Sequence, residues 1–368
     1  MSNLKRKIRI GINGLFLSQP VTGVQRYGIE LLKNFDRFLD TGAINSEQYE
    51  IIVFTPRKKL FYLDFTHLKL VSSGRLTGSL WEQIELPLLS RGMMLFNPAI
   101  IAPILRFNQI VTLHDASVFA VPEVYSWKFR FKYRFIMKML GRFAKKIITV
   151  SNFSKCELVK YCHISPEKID VIPSGADHIL TTPSDTSFFE RQGIKKPYFL
   201  AVSSNSLHKN FTAVIQALSL IRSDVDFEMV IVGGFFPRVF RSTEEELPEQ
   251  VRRVGYVTDA ELRALYEHAL GFVFPSLYEG FGFPPLEAMI CGCPVILSTA
   301  ASLPEVGGDA VLYCDPHSTS SIAEQMERLL LDKDLRSQLI QKGIIQARKF
   351  NWHDTAWDTW KELVTYAR

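Results

Sequence analysis

The sequence predicts an α/β protein with two doubly wound domains, each built on a parallel β-sheet that helices cover on both faces. Two series of short apolar, β-branched segments alternate with helical patterns, and continuous apolar segments of this kind are typical of strands in parallel sheets. A stretch dense in Pro, Ser, Thr and Asp separates the two series. The length of 368 residues also exceeds what one hydrophobic core normally supports.

Five strands are predicted in the first series, and most of them end in polar or turn residues. The segments are IRIGING (8–14), YEIIVFT (49–55), GMMLFNP (92–98), QIVTLHD (109–115) and KKIITVS (145–151). Between the first two, apolar residues recur at steps of three and four at Tyr27, Leu31, Phe35 and Phe38. This spacing predicts an amphipathic helix.

The second series follows residues 173–187, which we interpret as an interdomain linker. Thr258 precedes Glu261 by three residues, a capping box that predicts the start of a helix within this series. The predicted strands are YFLAVSS (198–204), FEMVIVGG (227–234), GFVFPS (271–276) and PVILST (294–299).

Charge is distributed unevenly along the chain. Residues 1–180 contain 25 Lys and Arg against 14 Asp and Glu, and the remainder contains 18 against 24, which gives the net charge of +5. A basic first half indicates an anionic partner, either nucleic acid or a membrane surface.

Composition argues against several classes of protein. No run of 18 apolar residues is present and the N-terminal KRKIRIGING shows no cleavage-site pattern, so we expect no membrane span, no signal peptide and a cytoplasmic location. The five cysteines form no C-x-x-C pair, which argues against a disulfide framework or a zinc site.

The segment PSLYEGFGFPPLEAM (275–289) carries two glutamates, Glu279 and Glu287, that are eight residues apart. On one continuous helix they would lie about 80° and 12 Å apart, facing different directions. Gly280 and Gly282 instead predict a tight loop, and the prolines that follow predict a helix start. The N–H groups at a helix start attract an anion, and here a carboxylate lies on each side of it. This arrangement suits a nucleotide sugar, which carries phosphate in the middle and hydroxyl groups at both ends. The alternative is an exposed loop with two solvated glutamates.

Other candidates lie at predicted strand ends, where ligands collect in parallel sheets. His114 and Lys209 each follow such a strand, and Gly14 and Gly23 flank the first loop, whose N–H groups can meet a diphosphate or an acceptor. A lone His or Lys is more often structural or solvated. The first loop has no G-x-G-x-x-G motif, which argues against a nicotinamide-dependent dehydrogenase, and a Walker A lysine is absent too.

The segment PSLYEGFGFPPLEAMICGCPVI, with its Glu-x7-Glu spacing, resembles the donor-binding signature of the retaining glycosyltransferases of family 4. Further similarities span nearly the whole chain: GVQRYGIELL, VTLHD, VSNFSK, VIPSGAD, HKN and VGYVTDAEL. The resemblance implies the GT-B fold, in which two facing Rossmann-like domains enclose an interdomain cleft. The expected domains are residues 1–175 for the acceptor and 176–350 for the donor, with residues 351–368 as a helix that crosses back to the first domain.

The resemblance also implies roles for individual residues. Glu287 would accept hydrogen bonds from the ribose hydroxyls and Glu279 would contact the transferred sugar. Lys209 would bind the diphosphate and stabilise the charge that develops on the leaving group. The backbone from Phe281 through Gly282 and Phe283 to Leu286 would face the sugar and diphosphate.

Further residues resemble family positions less directly. His114 would contact sugar hydroxyls, while Asp115 would orient His114, take the acceptor's proton or simply cap the next helix. Ser204 stands where many relatives carry a second cation, an Arg. Residues expected to flank the nucleotide base are Gly233, Gly234, Tyr256 and Val257, although a glycine there also fits a plain tight turn.

Retention of configuration, implied by the resemblance, is expected to proceed by same-face attack because both glutamates already have binding roles. We expect no metal and no cofactor, since the chain has no Asp-x-Asp motif and no His/Asp cluster. The nucleotide sugar is the substrate, with UDP-glucose and GDP-mannose as candidate donors.

Residues 126–146 hold eight basic residues and no acidic ones. At steps of four, Trp127, Phe131, Phe135, Met139 and Phe143 form one stripe, and Arg130, Arg134, Lys138, Arg142 and Lys146 form another. This pattern fits a helix lying on an anionic membrane. The alternative is a core-packed stripe with a solvated basic face. No nucleic-acid-binding motif accompanies it.

The sequence thus predicts a hexosyltransferase that acts on a glycan or lipid-linked acceptor in surface polysaccharide synthesis, in the cytoplasm or at the inner face of the plasma membrane. The alternative is a catalytically weak nucleotide-sugar-binding partner of an active transferase, for which Ser204 is the sequence hint.

Overall fold

The computed structural model describes residues 7–57, 65–99, 101–202, 206–233 and 248–367. The chain packs into two units: unit 1 comprises residues 1–116, 131–174 and 352–368, and unit 2 comprises residues 117–130 and 175–351.

Residues 117–130 therefore belong to unit 2, although the expected first domain included them. This segment buries few apolar side chains, among them Val118 and Val124, so its sequence periodicity is too weak to assign it to either sheet.

All the strands in the described part of the chain belong to two parallel sheets. In chain order they are β1 (Ile8–Asn13), β2 (Tyr49–Thr55), β3 (Lys69–Ser72), β4 (Met94–Asn97), β5 (Gln109–Thr112), β6 (Lys146–Thr149), β7 (Ile169–Val171), β8 (Tyr198–Val202), β9 (Glu228–Val232), β10 (Val251–Gly255), β11 (Gly271–Phe274), β12 (Val295–Ser298) and β13 (Leu312–Cys314). Every predicted strand is present.

The helices begin and end as follows: α1 (Gly23–Asp40), α2 (Gly78–Leu80), α3 (Leu86–Leu89), α4 (Ser117–Ala120), α5 (Trp127–Phe143), α6 (Asn152–Cys162), α7 (Ser187–Gln192), α8 (Phe211–Leu218), α9 (Asp259–His268), α10 (Phe283–Ile290), α11 (Leu303–Gly307), α12 (Thr319–Leu331), α13 (Lys333–Ala347) and α14 (Trp352–Ala367). A π-helical stretch, Trp81–Glu85, joins α2 to α3.

Unit 1 contains a seven-stranded sheet in the order β3-β2-β1-β4-β5-β6-β7, with every neighbouring pair parallel. The winding direction reverses between β1 and β4, which makes the carboxyl ends of these strands the switch point of the sheet. The predicted apolar face of α1 is buried, since Tyr27, Leu31, Phe35 and Phe38 are at most 3% exposed.

The C-terminal helix α14 packs within unit 1. The ring of Trp352 lies 6.0 Å from that of Tyr27, and the ring of Trp360 lies 6.1 Å from that of Phe35. The Thr355 hydroxyl donates a hydrogen bond to the carbonyl oxygen of Pro173. These edge-on aromatic contacts with α1 hold the end of the chain on the first sheet's unit.

Unit 2 contains a six-stranded parallel sheet in the order β10-β9-β8-β11-β12-β13, with its switch point between β8 and β11. Phe199, Val273 and Ile296 are fully buried in its core. Part of the segment interpreted as a linker packs into this unit, because it forms a 3₁₀-helix, Asp177–Thr181, that buries His178 and Ile179.

Candidate active site

Two loops meet at the switch point of unit 2. The loop after β8 contains the 3₁₀-helix Leu207–Lys209, and the loop after β11 contains Glu279. Because β8 and β11 are adjacent and parallel, their carboxyl ends lie at the same sheet edge. The Lys209 ammonium nitrogen lies 2.6 Å from a carboxylate oxygen of Glu279.

Hydrogen bonds tie these loops together beside the ion pair. The Leu277 N–H donates to the carbonyl oxygen of His208 at 2.8 Å. The Asn210 amide donates to the carbonyl oxygens of Pro275 and Pro316 at 3.1 and 2.7 Å. Residue 210 has a φ of +61°, a conformation that asparagine tolerates better than most residues. The HKN motif therefore positions Lys209 through Asn210.

The Lys209–Glu279 pair is partly shielded from water. The two side chains are 17% and 13% exposed, and the ammonium lies 5.1 Å from the ring centroid of Phe274. The alternative of an exposed loop with two solvated glutamates is thus wrong, because Glu279 is largely covered and Glu287 is buried. In this partly dry site the two opposite charges interact more strongly than they would in bulk water.

The helix start that follows Glu279 has the predicted form, with Glu279 on the loop and Glu287 inside α10. Gly282 has a φ of +140°, and a Cβ there would lie 3.2 Å from the Leu303 side chain, so this position favours glycine. The Ser302 hydroxyl lies 2.9 and 2.7 Å from the carbonyl oxygens of Glu279 and Phe281. These contacts fix the turn into α10.

The donors available at this helix start are fewer than the segment from Phe281 to Leu286 implied. Pro284 and Pro285 have no N–H, and the Leu286 N–H donates to the Gly282 carbonyl oxygen. Leu286 is also fully buried. Backbone donors for a diphosphate therefore have to come from residues before Pro284, and Leu286 acts as a packing residue.

Glu287 lies buried inside unit 2 with both carboxylate oxygens engaged. The Tyr266 hydroxyl donates to one oxygen at 3.1 Å, and the His178 Nε2 lies 3.1 Å from the other. Burial, and then the charge of Glu287, raise the pKa of Tyr266 well above its ordinary value, so the hydroxyl remains a donor. The carboxylate is thereby held in one orientation.

Sequence reasoning missed both residues that hold Glu287. His178 lies in the segment interpreted as a linker, and Tyr266 falls on the apolar face of α9, where an aromatic residue indicates only packing. Neither position carries a recognisable signal in the sequence, because the contact with Glu287 depends on the tertiary fold.

The residues expected to flank the nucleotide base follow β9 and β10. Gly233 has a φ of +130°, and its N–H donates to the carbonyl oxygen of Gly255 at 2.8 Å. The positive φ favours glycine at this position, and the hydrogen bond joins the ends of β9 and β10. Tyr256 is 65% exposed and Val257 is partly buried, so their predicted contacts with a base remain predictions. Ser204 and Gly234 lie outside the described residues.

In unit 1, His114 follows β5 and is buried. Its Nε2 lies 3.0 Å from the Pro98 carbonyl oxygen, so this nitrogen carries the proton and donates. The Tyr27 ring packs edge-on at 4.9 Å. Burial lowers the pKa of His114, although the Pro98 hydrogen bond and the charge of Asp115 oppose this effect, so the imidazole is neutral at pH 7. The predicted sugar contact of His114 would thus involve a neutral ring.

The two glycines of the first loop have different surroundings. The Gly14 N–H donates to the Phe54 carbonyl oxygen at 2.8 Å, and a Cβ on Gly14 would lie 2.8 Å from the Val53 side chain. Packing against β2 thus explains Gly14 and occupies its N–H. Gly23 is the exposed first residue of α1, after the capping residue Thr22.

The switch point of unit 1 holds a buried polar network that the sequence did not reveal. Asn13 and Asn97 are the last residues of β1 and β4, and the Asn13 amide donates to Glu82 at 2.7 Å and to Asn97 at 3.1 Å. The Asn97 amide donates in turn to Gln109 at 3.0 Å. Burial raises the pKa of Glu82 to about 7, against the opposing effects of the Asn13 hydrogen bond and the Lys132 charge.

The described residues contain no group of three or more His, Cys, Asp or Glu side chains that could hold a metal ion. None of their helices is both long enough and apolar enough to cross a membrane.

Family comparisons cover most of the chain. Residues 184–346 match the model for glycosyl transferases group 1, and residues 45–180 match that for glycosyltransferase family 4. The chain is 29% identical to O-antigen chain mannosyltransferase B of Escherichia coli, over 93% of this chain and 96% of that protein. It is 31% identical to O-antigen chain mannosyltransferase RfbU of Salmonella typhimurium, over 83% of this chain and 86% of that protein.

Solved structures show the same fold at low sequence identity. Sucrose-phosphate synthase from Thermosynechococcus elongatus aligns with a TM-score of 0.75 and 18% identity, covering 98% of this chain and 99% of that one. WaaG, a glycosyltransferase involved in lipopolysaccharide biosynthesis, aligns with a TM-score of 0.70 and 16% identity, covering 96% and 99%. Anabaena HepE in complex with UDP and glucose aligns with a TM-score of 0.73 and 16% identity, covering 97% of this chain and 99% of that one. The predicted GT-B fold is confirmed.

Proposed function

The chain belongs to family 4 of the glycosyltransferases, and on this premise we propose that it transfers mannose from GDP-mannose to a glycan or lipid-linked acceptor in surface polysaccharide synthesis. Mannose is favoured over glucose because two relatives that match more than four fifths of the chain are both O-antigen mannosyltransferases. The observation that carries the proposed chemistry is the Lys209–Glu279 ion pair at the switch point of unit 2.

In this proposal, donor binding exchanges the partners of that pair. The diphosphate takes the Lys209 ammonium and the sugar hydroxyls donate to Glu279, so each charge keeps a partner of suitable chemistry. Glu287 accepts hydrogen bonds from the ribose, in the orientation that Tyr266 and His178 hold. Lys209 then stabilises the negative charge that develops on the departing diphosphate.

We propose that the reaction retains the anomeric configuration by same-face attack. The bond from the anomeric carbon to the phosphate oxygen breaks, the acceptor oxygen bonds to that carbon on the same face, and the acceptor proton moves to the departing phosphate. Double displacement needs a carboxylate nucleophile, and in this proposal Glu279 accepts from the sugar hydroxyls while Glu287 is held by Tyr266 and His178 for the ribose. The proposal is metal-independent, with Lys209 supplying the positive charge.

The alternative of a regulatory sugar-nucleotide-binding partner depended on Ser204, which lies outside the described residues. The described part of the chain offers no observation that favours it, and relatives that match most of the chain are mannosyltransferases. The proposal is therefore an active transferase.

A thermal-shift screen followed by an activity assay tests the proposal. GDP at one hundred times its dissociation constant should stabilise the protein by about 2.7 kcal/mol, and UDP should stabilise it less. GDP-mannose should then be slowly hydrolysed without acceptor in the presence of EDTA. When an acceptor is added, NMR of the transfer product should show the donor's anomeric configuration. Stabilisation by UDP alone would contradict mannose transfer from GDP-mannose, and nucleotide binding without any turnover would contradict an active enzyme.

A further inference from the structure

Helix α5 exposes aromatic side chains that a core-packed helix would bury. Trp127, Phe131 and Phe135, the first three members of the predicted stripe, are 53% to 75% exposed. The buried face of the helix is instead formed by Ile136, Met137, Leu140 and Gly141. The alternative of a core-packed stripe is therefore wrong for this part of the helix.

A second apolar stripe lies on the helical segment 78–89. Leu80, Ile84 and Leu88 recur at steps of four and are 51% to 69% exposed. The opposite face is buried, with Trp81 and Leu86 fully covered in a core cluster of unit 1. The segment thus needs no further burial for its inner face, and its outer face remains apolar and exposed.

A loop between β4 and β5 adds two more exposed apolar residues, Leu105 and Phe107, at 83% and 63%. Side-chain contacts join this loop to both helical elements. Gln83 donates to the Ala102 carbonyl oxygen at 2.8 Å and accepts from the Ile104 N–H at 2.9 Å. The Phe107 ring lies 5.4 Å from the ring of Phe143 at the end of α5.

The helical elements are also tied to each other, since the Lys132 ammonium on α5 donates to the Ser79 hydroxyl at 2.8 Å. Seven exposed apolar side chains of unit 1 thus belong to three elements that contact one another. We call them the apolar surface: Leu80, Ile84, Leu88, Leu105, Phe107, Phe131 and Phe135.

The charge of these elements is one-sided. Residues 126–146 carry eight basic residues and no acid, and residues 98–108 carry Arg106 and no acid. Both acids of segment 78–89 have inward roles: Glu82 is buried against Asn13, and Glu85 accepts the N–H groups of Arg75 and Leu76. Cations therefore accompany the apolar side chains without exposed acids from the same segments.

We infer that the apolar surface inserts into the interface of a bilayer that contains anionic lipids, with the basic residues of α5 at the headgroups. Aromatic and aliphatic side chains beside Lys and Arg are the combination that such an interface binds, through apolar burial and attraction to anionic lipid together. The inference goes beyond the proposed function, because it would hold whichever sugar the enzyme transfers.

The experiment measures co-sedimentation of the full chain with vesicles of phosphatidylcholine, alone or mixed with phosphatidylglycerol. The wild type should bind the mixed vesicles, and raised salt should weaken that binding. The double variant Ile84→Ser/Leu88→Ser, on the segment that the sequence did not single out, should lower the partition coefficient by roughly tenfold or more. Leu105→Ser/Phe107→Ser provides an independent test on the loop.

Leu331→Ser/Ile345→Ser is the matched control, since both residues are 63% exposed but lie in unit 2. Its partition coefficient should equal that of the wild type. Equal binding to vesicles without phosphatidylglycerol, or an unchanged partition coefficient in both test variants, would overturn the inference. So would sedimentation velocity showing that the wild type is dimeric and Ile84→Ser/Leu88→Ser monomeric, because the surface would then join two copies of the chain.

Discussion

Both sheets reverse their winding direction at a switch point, but the side chains found there differ between the two units. In unit 1, Asn13, Asn97 and Glu82 are at most 3% exposed and bond to one another. In unit 2, Lys209 and Glu279 form an ion pair that keeps 17% and 13% exposure. A sealed network can hold strand ends in place, whereas a partly exposed pair can exchange its partner for a ligand.

Among the variants that would distinguish the two switch points, Lys209→Ala is expected to have the largest effect. Donor turnover should fall by about 10²- to 10³-fold, because a fixed cation in a partly dry site stabilises the leaving diphosphate. Steady-state kinetics measures this. Lys196→Ala is the matched control, since Lys196 pairs with Asp226 on the exposed surface of the same unit. Equal turnover in the two variants would contradict the role of Lys209.

The buried polar network of unit 1 should make the stability of the protein depend on pH. Because burial raises the pKa of Glu82 to about 7, the folded protein holds a proton that the unfolded chain releases near pH 4.5. The free energy of unfolding should therefore fall by up to about 3 kcal/mol as the pH rises from about 4.5 to about 7. Above pH 7 it should level off. Glu82→Gln, which cannot ionise, should lose this decrease.

The measurement is the difference in Tm between wild type and Glu82→Gln from pH 5 to 8. We expect the wild type to become less stable relative to the variant as pH rises. A difference that is constant across this range would show that Glu82 ionises alike in the folded and unfolded protein.

Within unit 2, Glu287 and Glu279 should differ in what they bind. Glu287→Ala should weaken nucleotide affinity by about 10- to 100-fold, because it removes a charged hydrogen-bond acceptor. Glu279→Ala should not weaken nucleotide affinity, because it frees the Lys209 ammonium for the diphosphate, and it should reduce turnover through loss of the sugar contact. Calorimetric titration with the nucleoside diphosphate measures the affinities. Wild-type affinity in Glu287→Ala would contradict the ribose assignment.

A smaller effect is expected for Tyr266→Phe, which removes one donor to Glu287. Loss of one hydrogen bond, about 1 kcal/mol, should weaken nucleotide affinity by about fivefold. Tyr198→Phe is the matched control, because its buried hydroxyl donates to the Leu265 carbonyl oxygen and not to Glu287. If both variants weaken nucleotide binding equally, the effect comes from packing and not from the orientation of Glu287.

The sequence predicted the central strands of both sheets and missed edge strands such as β3. Central parallel strands are covered on both faces, so continuous apolar residues mark them. β3 lies at an edge with mostly exposed residues, and its composition carries no such signal.

Among the site residues, placements that depend on local sequence were predicted, and contacts that depend on the tertiary fold were missed. The placement of Glu279 on a loop and Glu287 on a helix follows from local glycine and proline chemistry, and it is confirmed. The contacts of His178 and Tyr266 with Glu287 depend on how distant segments pack, so no local pattern indicates them. Periodicity likewise placed Phe131 and Phe135 on one face of α5 but left open whether that face is buried.

The 2.6 Å contact between Lys209 and Glu279 has a consequence for selectivity. Because Glu279 neutralises the charge of Lys209, the pair attracts simple anions only weakly. Inorganic phosphate would satisfy the ammonium but strand the carboxylate without a hydroxyl donor, whereas a sugar nucleotide satisfies both at once. If donor binding exchanges the partners of this pair as proposed, cellular phosphate should compete poorly with the donor, because it satisfies only one of the two charges.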